Sequence, residues 1–162
     1  MAGVDGTYDC TVKSPLGDQK LTLTVAPTAT PDGVTVGSSQ TSKAYEITLK
    51  DQDGNAVTAA AGTVFTVNLF VGKNLTGVTV YHNDAEMAAD AYSYDTATGF
   101  VTIRSTTFSP FTIVYEAPEA MLGGAYYKTL AAAIDAAQAG DTVTMVRDVT
   151  INSGYAIEKS IN

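Results

Sequence analysis

The chain has no tryptophan, one histidine, one cysteine and few cations: nine Lys and Arg stand against seventeen Asp and Glu, a net charge of −8. Each shortage excludes something. A field of that sign repels a nucleic-acid backbone and anionic lipid headgroups. With Cys10 alone, no disulfide closes within the chain; the plain expectation is a small buried hydrophobe near the first strand, the other a bond between chains. A lone His82 and a lone Cys10 do not make the usual zinc spacings. No apolar run approaches the ~20 residues that span a bilayer, so membrane insertion is not expected. Met1-Ala2-Gly3-Val4-Asp5-Gly6 has neither a basic region nor an apolar core and does not read as a signal peptide. If the parent is exported, this chain is expected to be an internal piece; a cytosolic protein is the other reading.

What is present points to β-structure. The 162 residues are 45% hydrophobic and only 16% charged. Threonine and valine, β-branched and suited to a pleated half-buried surface, fill the gap. Leu21, Leu23 and Val25 alternate with polar residues, as do Tyr45, Ile47 and Leu49. Val34-Thr35-Val36 reads as a short strand and 63–71 as a long one, with Phe65, Val67, Leu69 and Val71 on one face. Val78, Val80 and His82 alternate with Thr79 and Tyr81, and residues 87–94 read as a weaker strand. Phe100-Val101-Thr102-Ile103-Arg104 and Phe111-Thr112-Ile113-Val114-Tyr115 complete the set. Pro27 to Gly33 is a connection; Asp51-Gln52-Asp53-Gly54-Asn55 and Asp95-Thr96-Ala97-Thr98-Gly99 are hairpin turns. About eight or nine short strands with no helical period between them predict an antiparallel β-sandwich of the immunoglobulin-like kind over residues 5–116.

Residues 117–121 read as a linker. Beyond it, over 122–162, Thr129 is placed to cap a helix with Leu130, Ala133, Ile134 and Ala137 on one face, and Gly140 to stop it. Two short strands follow, at 142–146 and 149–151. So small a unit struggles to bury a core alone, and closely spaced strands look like solenoid rungs, which need neighbours.

Two resemblances enter here. Residues 126–151, from Tyr126-Tyr127-Lys128-Thr129 through Ala136-Ala137-Gln138-Ala139-Gly140-Asp141-Thr142-Val143, resemble the N-terminal start of right-handed parallel β-helices of the pectate-lyase-like superfamily, a segment that recurs in large surface proteins of gut bacteria. That implies a capping helix and the first rungs of a truncated β-helix; catalytic or sugar-binding residues of such families belong to later rungs, and none carries over. The stretch from Val78 through Tyr94-Asp95, Gly99-Phe100 and Phe108-Ser109-Pro110-Phe111 to Tyr115 is similar to a module repeated in Gram-positive surface proteins, and its ending to ZU5-type β-sandwiches. Some of those cleave themselves at His-Phe-Ser. Here Thr107 stands in the place of that His and Pro110 follows the Ser, so self-cleavage is not expected. The lysine–asparagine cross-links of such surface domains would need Lys43 or Lys50 with Asn68.

Three groups of residues are candidates for chemistry. Tyr81, Tyr92 and Tyr94, with Tyr115, could form a sugar-stacking platform, Tyr92 and Tyr94 sharing a face; packing at the core or an edge is the plainer reading. Asp51, Asp53 and Asn55 alternate oxygen side chains as in a calcium loop, but Gly54 comes fourth rather than sixth and Gly62 stands twelfth where a bidentate Glu belongs; a hairpin turn is the plainer reading. His82, and the acidic Glu86, Asp90 and Asp95, lack the partners that nucleophilic or glycosidase chemistry needs. The reading is therefore not an enzyme: a non-catalytic structural or adhesive module of a bacterial cell surface, with no resident cofactor, whose partner is a glycan or protein of the host or bacterial surface. The alternative is an accessory carbohydrate-binding module beside a β-helix polysaccharide enzyme. An exposed solenoid end could also pair two chains into a dimer.

Overall fold

The structure, a computed structural model, describes residues 10–14, 20–57, 64–151 and 160–161. The side chain of Cys10, the turn expected at 14–18 beyond Ser14, and the last apolar pair at 156–157 lie outside the described residues. The elements, in chain order, are β1 (Cys10–Lys13), β2 (Thr22–Thr28), β3 (Thr41–Lys50), β4 (Phe65–Phe70), β5 (Thr76–His82), β6 (Ala85–Glu86), β7 (Tyr92–Asp95), β8 (Phe100–Ser105), β9 (Phe111–Glu116), β10 (Ala120–Leu122), β11 (Ala125–Tyr127), α1 (Leu130–Ala136) and β12 (Val143–Met145).

The fold is mainly β and its sheets are antiparallel. One sheet runs β1-β4-β8-β7 and a second runs β2-β3-β9-β5-β6. Their inner faces share one apolar cluster. Val67, Leu69, Val101 and Ile103 come from the first sheet, and Ile47, Val80, Phe111 and Ile113 from the second. Alternation explains the split: within β4, Phe65, Val67 and Leu69 are buried, and Thr66 and Asn68 between them are not. Lys43 closes one rim of this core, donating from Nζ to the Val71 carbonyl at 2.9 Å with its ammonium 5.8 Å from the Tyr115 ring centroid. Asn68 lies on the other sheet, accepting from Thr102 at 2.7 Å.

Several local expectations change. β2 extends through Pro27, which pairs with Tyr45; proline is tolerated there because β2 is an edge strand and bonds on one side only. Val34-Thr35-Val36 is not a strand. It belongs to the connection from β2 to β3, which lies over the outer face of the five-stranded sheet. Thr30 bonds Ser42 there at 2.8 Å, Val34 is buried, Gly33 abuts Asp84, and Ser39 donates to Glu116 at 3.1 Å. The strand expected over 87–94 is broken, because between β6 and β7 the chain leaves one sheet for the other.

That covering segment explains β9, whose residues from Phe111 to Tyr115 are all buried. Phe111, Ile113 and Tyr115 face the shared core, leaving Thr112 and Val114 on the outer face beneath the connection. The Thr112 hydroxyl is buried there without a hydrogen-bond partner among the described residues. An orphaned buried hydroxyl costs about 1–3 kcal/mol. Thr112→Val removes it at nearly constant shape, and a gain of about 1 kcal/mol is expected in urea denaturation; a loss of stability would mean the hydroxyl is satisfied.

After β9 the chain forms a third sheet, β11-β10-β12, with α1 against it. Thr129 caps α1, its Oγ1 accepting from the Ala132 amide at 3.1 Å. The helix ends at Ala136, with Ala137 as its extended C-cap, and not at Gly140; Gly140 takes its positive φ of 92° in the turn that follows. The β-helix expectation is not met among the described residues. The strand expected as a first rung, now β12, pairs antiparallel with β10, and 149–151 is not a strand. A rung pairs in parallel with a following rung; β12 instead finds β10 already placed beside it by the β10–β11 hairpin.

Candidate functional site

The structure brings Tyr92 and Tyr94 together and sets Tyr81 apart. Tyr92 and Tyr94 lie on β7, their rings packed against the core. Both hydroxyls bond the protein's own backbone. Tyr94 accepts from the Leu75 amide at 3.0 Å and donates to the Gly72 carbonyl at 2.7 Å. Tyr92 donates to the Val78 carbonyl on β5, in the other sheet, at 3.4 Å. Tyr81 is on β5 next to fully buried Val80, so it points outward. There it is half-buried, opposite Thr112 of β9 and Glu86 of β6.

Asp51, Asp53 and Asn55 meet in the turn after β3. Asp51 Oδ1 accepts from the backbone amides of Asp53 and Asn55, both at 2.9 Å, and Oδ2 accepts from the Asn55 side chain at 3.1 Å. These bonds, the Asn55 amide first, hold the Asp51 carboxyl below its ordinary pKa. The same device recurs at Asp95, whose Oδ1 accepts from Ala97 and Thr98 and whose pKa is lowered by those donors. Both carboxylates close turns from within. Among the described residues no three His, Cys, Asp or Glu side chains are grouped to hold a metal ion.

A third place escaped the sequence reading. His82 ends β5 directly opposite Phe111, the first residue of β9. Its ring stacks on Phe111, with centroids 4.6 Å apart and planes 11° apart. Its Nε2 is hydrogen-bonded to Oγ of Ser109. Around this pair the chain is fixed on three sides: Phe108 packs on Phe65 at 4.8 Å, the Asn83 amide donates to the Pro110 carbonyl at 2.9 Å, and Ser105 and Thr107 close the preceding bend. Ser109 is 27 residues from His82, and only the register of β5 on β9 joins them. The signal available beforehand was the alternation that put His82 on the face of Val80.

Burial alone pushes the His82 pKa below its ordinary 6.5. The sign follows: the unfolded chain takes up the proton first as pH falls, so folding loses stability. Urea denaturation from pH 8 to 5 is expected to give constant stability above pH 6.5, and a decline below it that His82→Gln removes. A decline that persists unchanged in His82→Gln would assign the effect to other groups.

No protein family, curated protein or solved structure matches the chain. No described helix is long and apolar enough to cross a membrane.

Proposed function

We propose that this chain is a non-catalytic structural or adhesive module of a bacterial cell-surface protein: an immunoglobulin-like sandwich that leads into a small three-stranded sheet with one helix and spaces or presents its neighbours. The observation that carries this reading is the junction after β9. Only residues 117–119 separate β9 from β10, and they are tied down. Ala117 packs on the sandwich core. Lys128 pairs with Glu116 at 2.7 Å. Glu119 donates its amide to the Tyr127 carbonyl, accepts from the Val146 amide, and accepts through its carboxylate from the Leu130 amide at 2.9 Å and from Arg147 at 2.8 Å. A joint held this way sets a direction between successive parts of a chain, as a spacer requires. The acidic surface and the threonine-rich strands agree with it.

Two measurements test the reading together. In solution scattering the chain should behave as one rigid particle, and the pair Glu119→Ala with Lys128→Ala should broaden its distribution of lengths. On a glycan array, with and without calcium, no binding is expected. Specific glycan binding lost in Tyr81→Ala would replace the spacer by the accessory carbohydrate-binding module.

A further inference from the structure

We propose that Ser109 is an activated nucleophile, with His82 as its base, and that it accepts an acyl group from activated esters in a single transfer per chain. The pair supplies what a serine lacks alone. A free hydroxyl holds its proton too tightly to attack at neutral pH; an adjacent base within hydrogen-bond reach removes that proton as the attack proceeds. Ser109 Oγ is bonded to the one histidine in the chain. The imidazole is held in place by the Phe111 ring beneath it, and its half-buried seat keeps it in the neutral, proton-accepting form at neutral pH. Asp84 and Glu86 follow it in the turn and in β6, both exposed to solvent.

Other serine and threonine hydroxyls described above have poorer bases. Ser105 donates to a carbonyl and Thr102 to an amide oxygen. Ser39 donates to Glu116, a carboxylate made less basic by Lys128. Ser109 also remains partly open to solvent, between Phe108, whose ring packs on Phe65, and Pro110, whose carbonyl accepts from Asn83. The step balances. Oγ forms a bond to the ester carbonyl carbon as its proton passes to His82 Nε2; the bond from carbon to the leaving oxygen breaks; the leaving alcohol takes the proton from Nε2. The products are acyl-Ser109 and the free alcohol.

The test uses p-nitrophenyl acetate and a fluorophosphonate, with intact mass and peptide mapping as readouts. One adduct per chain is expected, on Ser109, at a rate that is flat from neutral pH upward and falls on acidification as His82 protonates. His82→Gln should slow labelling of Ser109 at least ~100-fold while melting as one cooperative unit, and added free imidazole should restore part of the rate. If His82→Gln does not fold, the pH profile of the wild-type chain and the Ser109→Ala variant decide. Label spread over several hydroxyls and lysines, a stable adduct on His82 itself, or a Ser109 rate independent of His82 and of acid would each overturn the proposal.

Discussion

Phe111→Ala is expected to cost about 3–5 kcal/mol, the range for deleting a fully buried aromatic ring from a packed core. Phe111 has no solvent exposure. It opens β9, the middle strand of the five-stranded sheet, and pairs with Tyr45 on one side and His82 on the other. On the core side the void would be bordered by Ile113, Ile47 and Val80 of the same cluster, all fully buried and already packed. Against the ~5–15 kcal/mol that holds an ordinary domain together, such a loss removes a large share. The apparent Tm should fall by on the order of 10 °C. The same variant takes away the surface on which the imidazole stacks, so an NMR titration should find the His82 pKa moved back up toward 6.5. A loss under about 1 kcal/mol, the size of an ordinary surface change, would mean that the two sheets do not share one core.

Gly99→Ala is expected to cost about 3 kcal/mol, a backbone effect of the kind that produces large losses. Gly99 closes the β7–β8 hairpin at φ 83°, and an added Cβ would stand 2.7 Å from the Phe70 ring and 2.8 Å from the Gly72 carbonyl carbon. Left-handed backbone alone costs an L-residue about 1–2 kcal/mol; here the clash with backbone adds to it. The Gly72 carbonyl cannot retreat freely, because Tyr94 donates to it and the Gly99 carbonyl accepts from Val71 and Gly72. Gly54→Ala is the control. Gly54 has nearly the same φ of 84° with nothing within 4 Å, so only the left-handed cost of about 1–2 kcal/mol should appear. Equal losses at both positions in thermal denaturation would remove the close approach from the account.

The strands and their inward faces were legible where alternation is strict. Tyr45, Ile47 and Leu49, and Phe65, Val67, Leu69 and Val71, are buried as their period-two pattern demands. Two hairpin turns were legible from their Asp, Asn and Gly, and the Thr129 cap from its place before an apolar helical face. What was not legible depends on partners far along the chain. Thr112 looks like a solvent-facing threonine until a connection from 29–40 covers it. Val34 to Val36 alternates like a strand but finds no strand to pair with. The antiparallel place of β12 beside β10 overrides a local pattern that looks like a rung. The candidate sites divide the same way. The Asp51 turn is local, and Asp51, Gly54 and Asn55 suffice to show it. Alternation places Tyr92 and Tyr94 on one face, but the carbonyls they reach belong to other elements. The meeting of His82 with Ser109 depends wholly on strand register.

The strand order β2-β3-β9-β5-β6 has a consequence in time. A ribosome delivers β2 with β3, then β5 with β6, as two separate hairpins. Each lacks its neighbour until residues 111–116 emerge. Until then the edges of β3 and β5 stand open, although every strand of the opposing sheet, β1-β4-β8-β7, has already emerged. The middle of the sheet is thus the last part of it to be made, and its arrival closes both open edges at once. Chains interrupted before β9 would carry the four strands of one sheet but only two separate halves of the other, whose exposed borders are prone to pairing between chains. The finished chain, whose central pairings join strands distant in sequence, should in turn fold slowly.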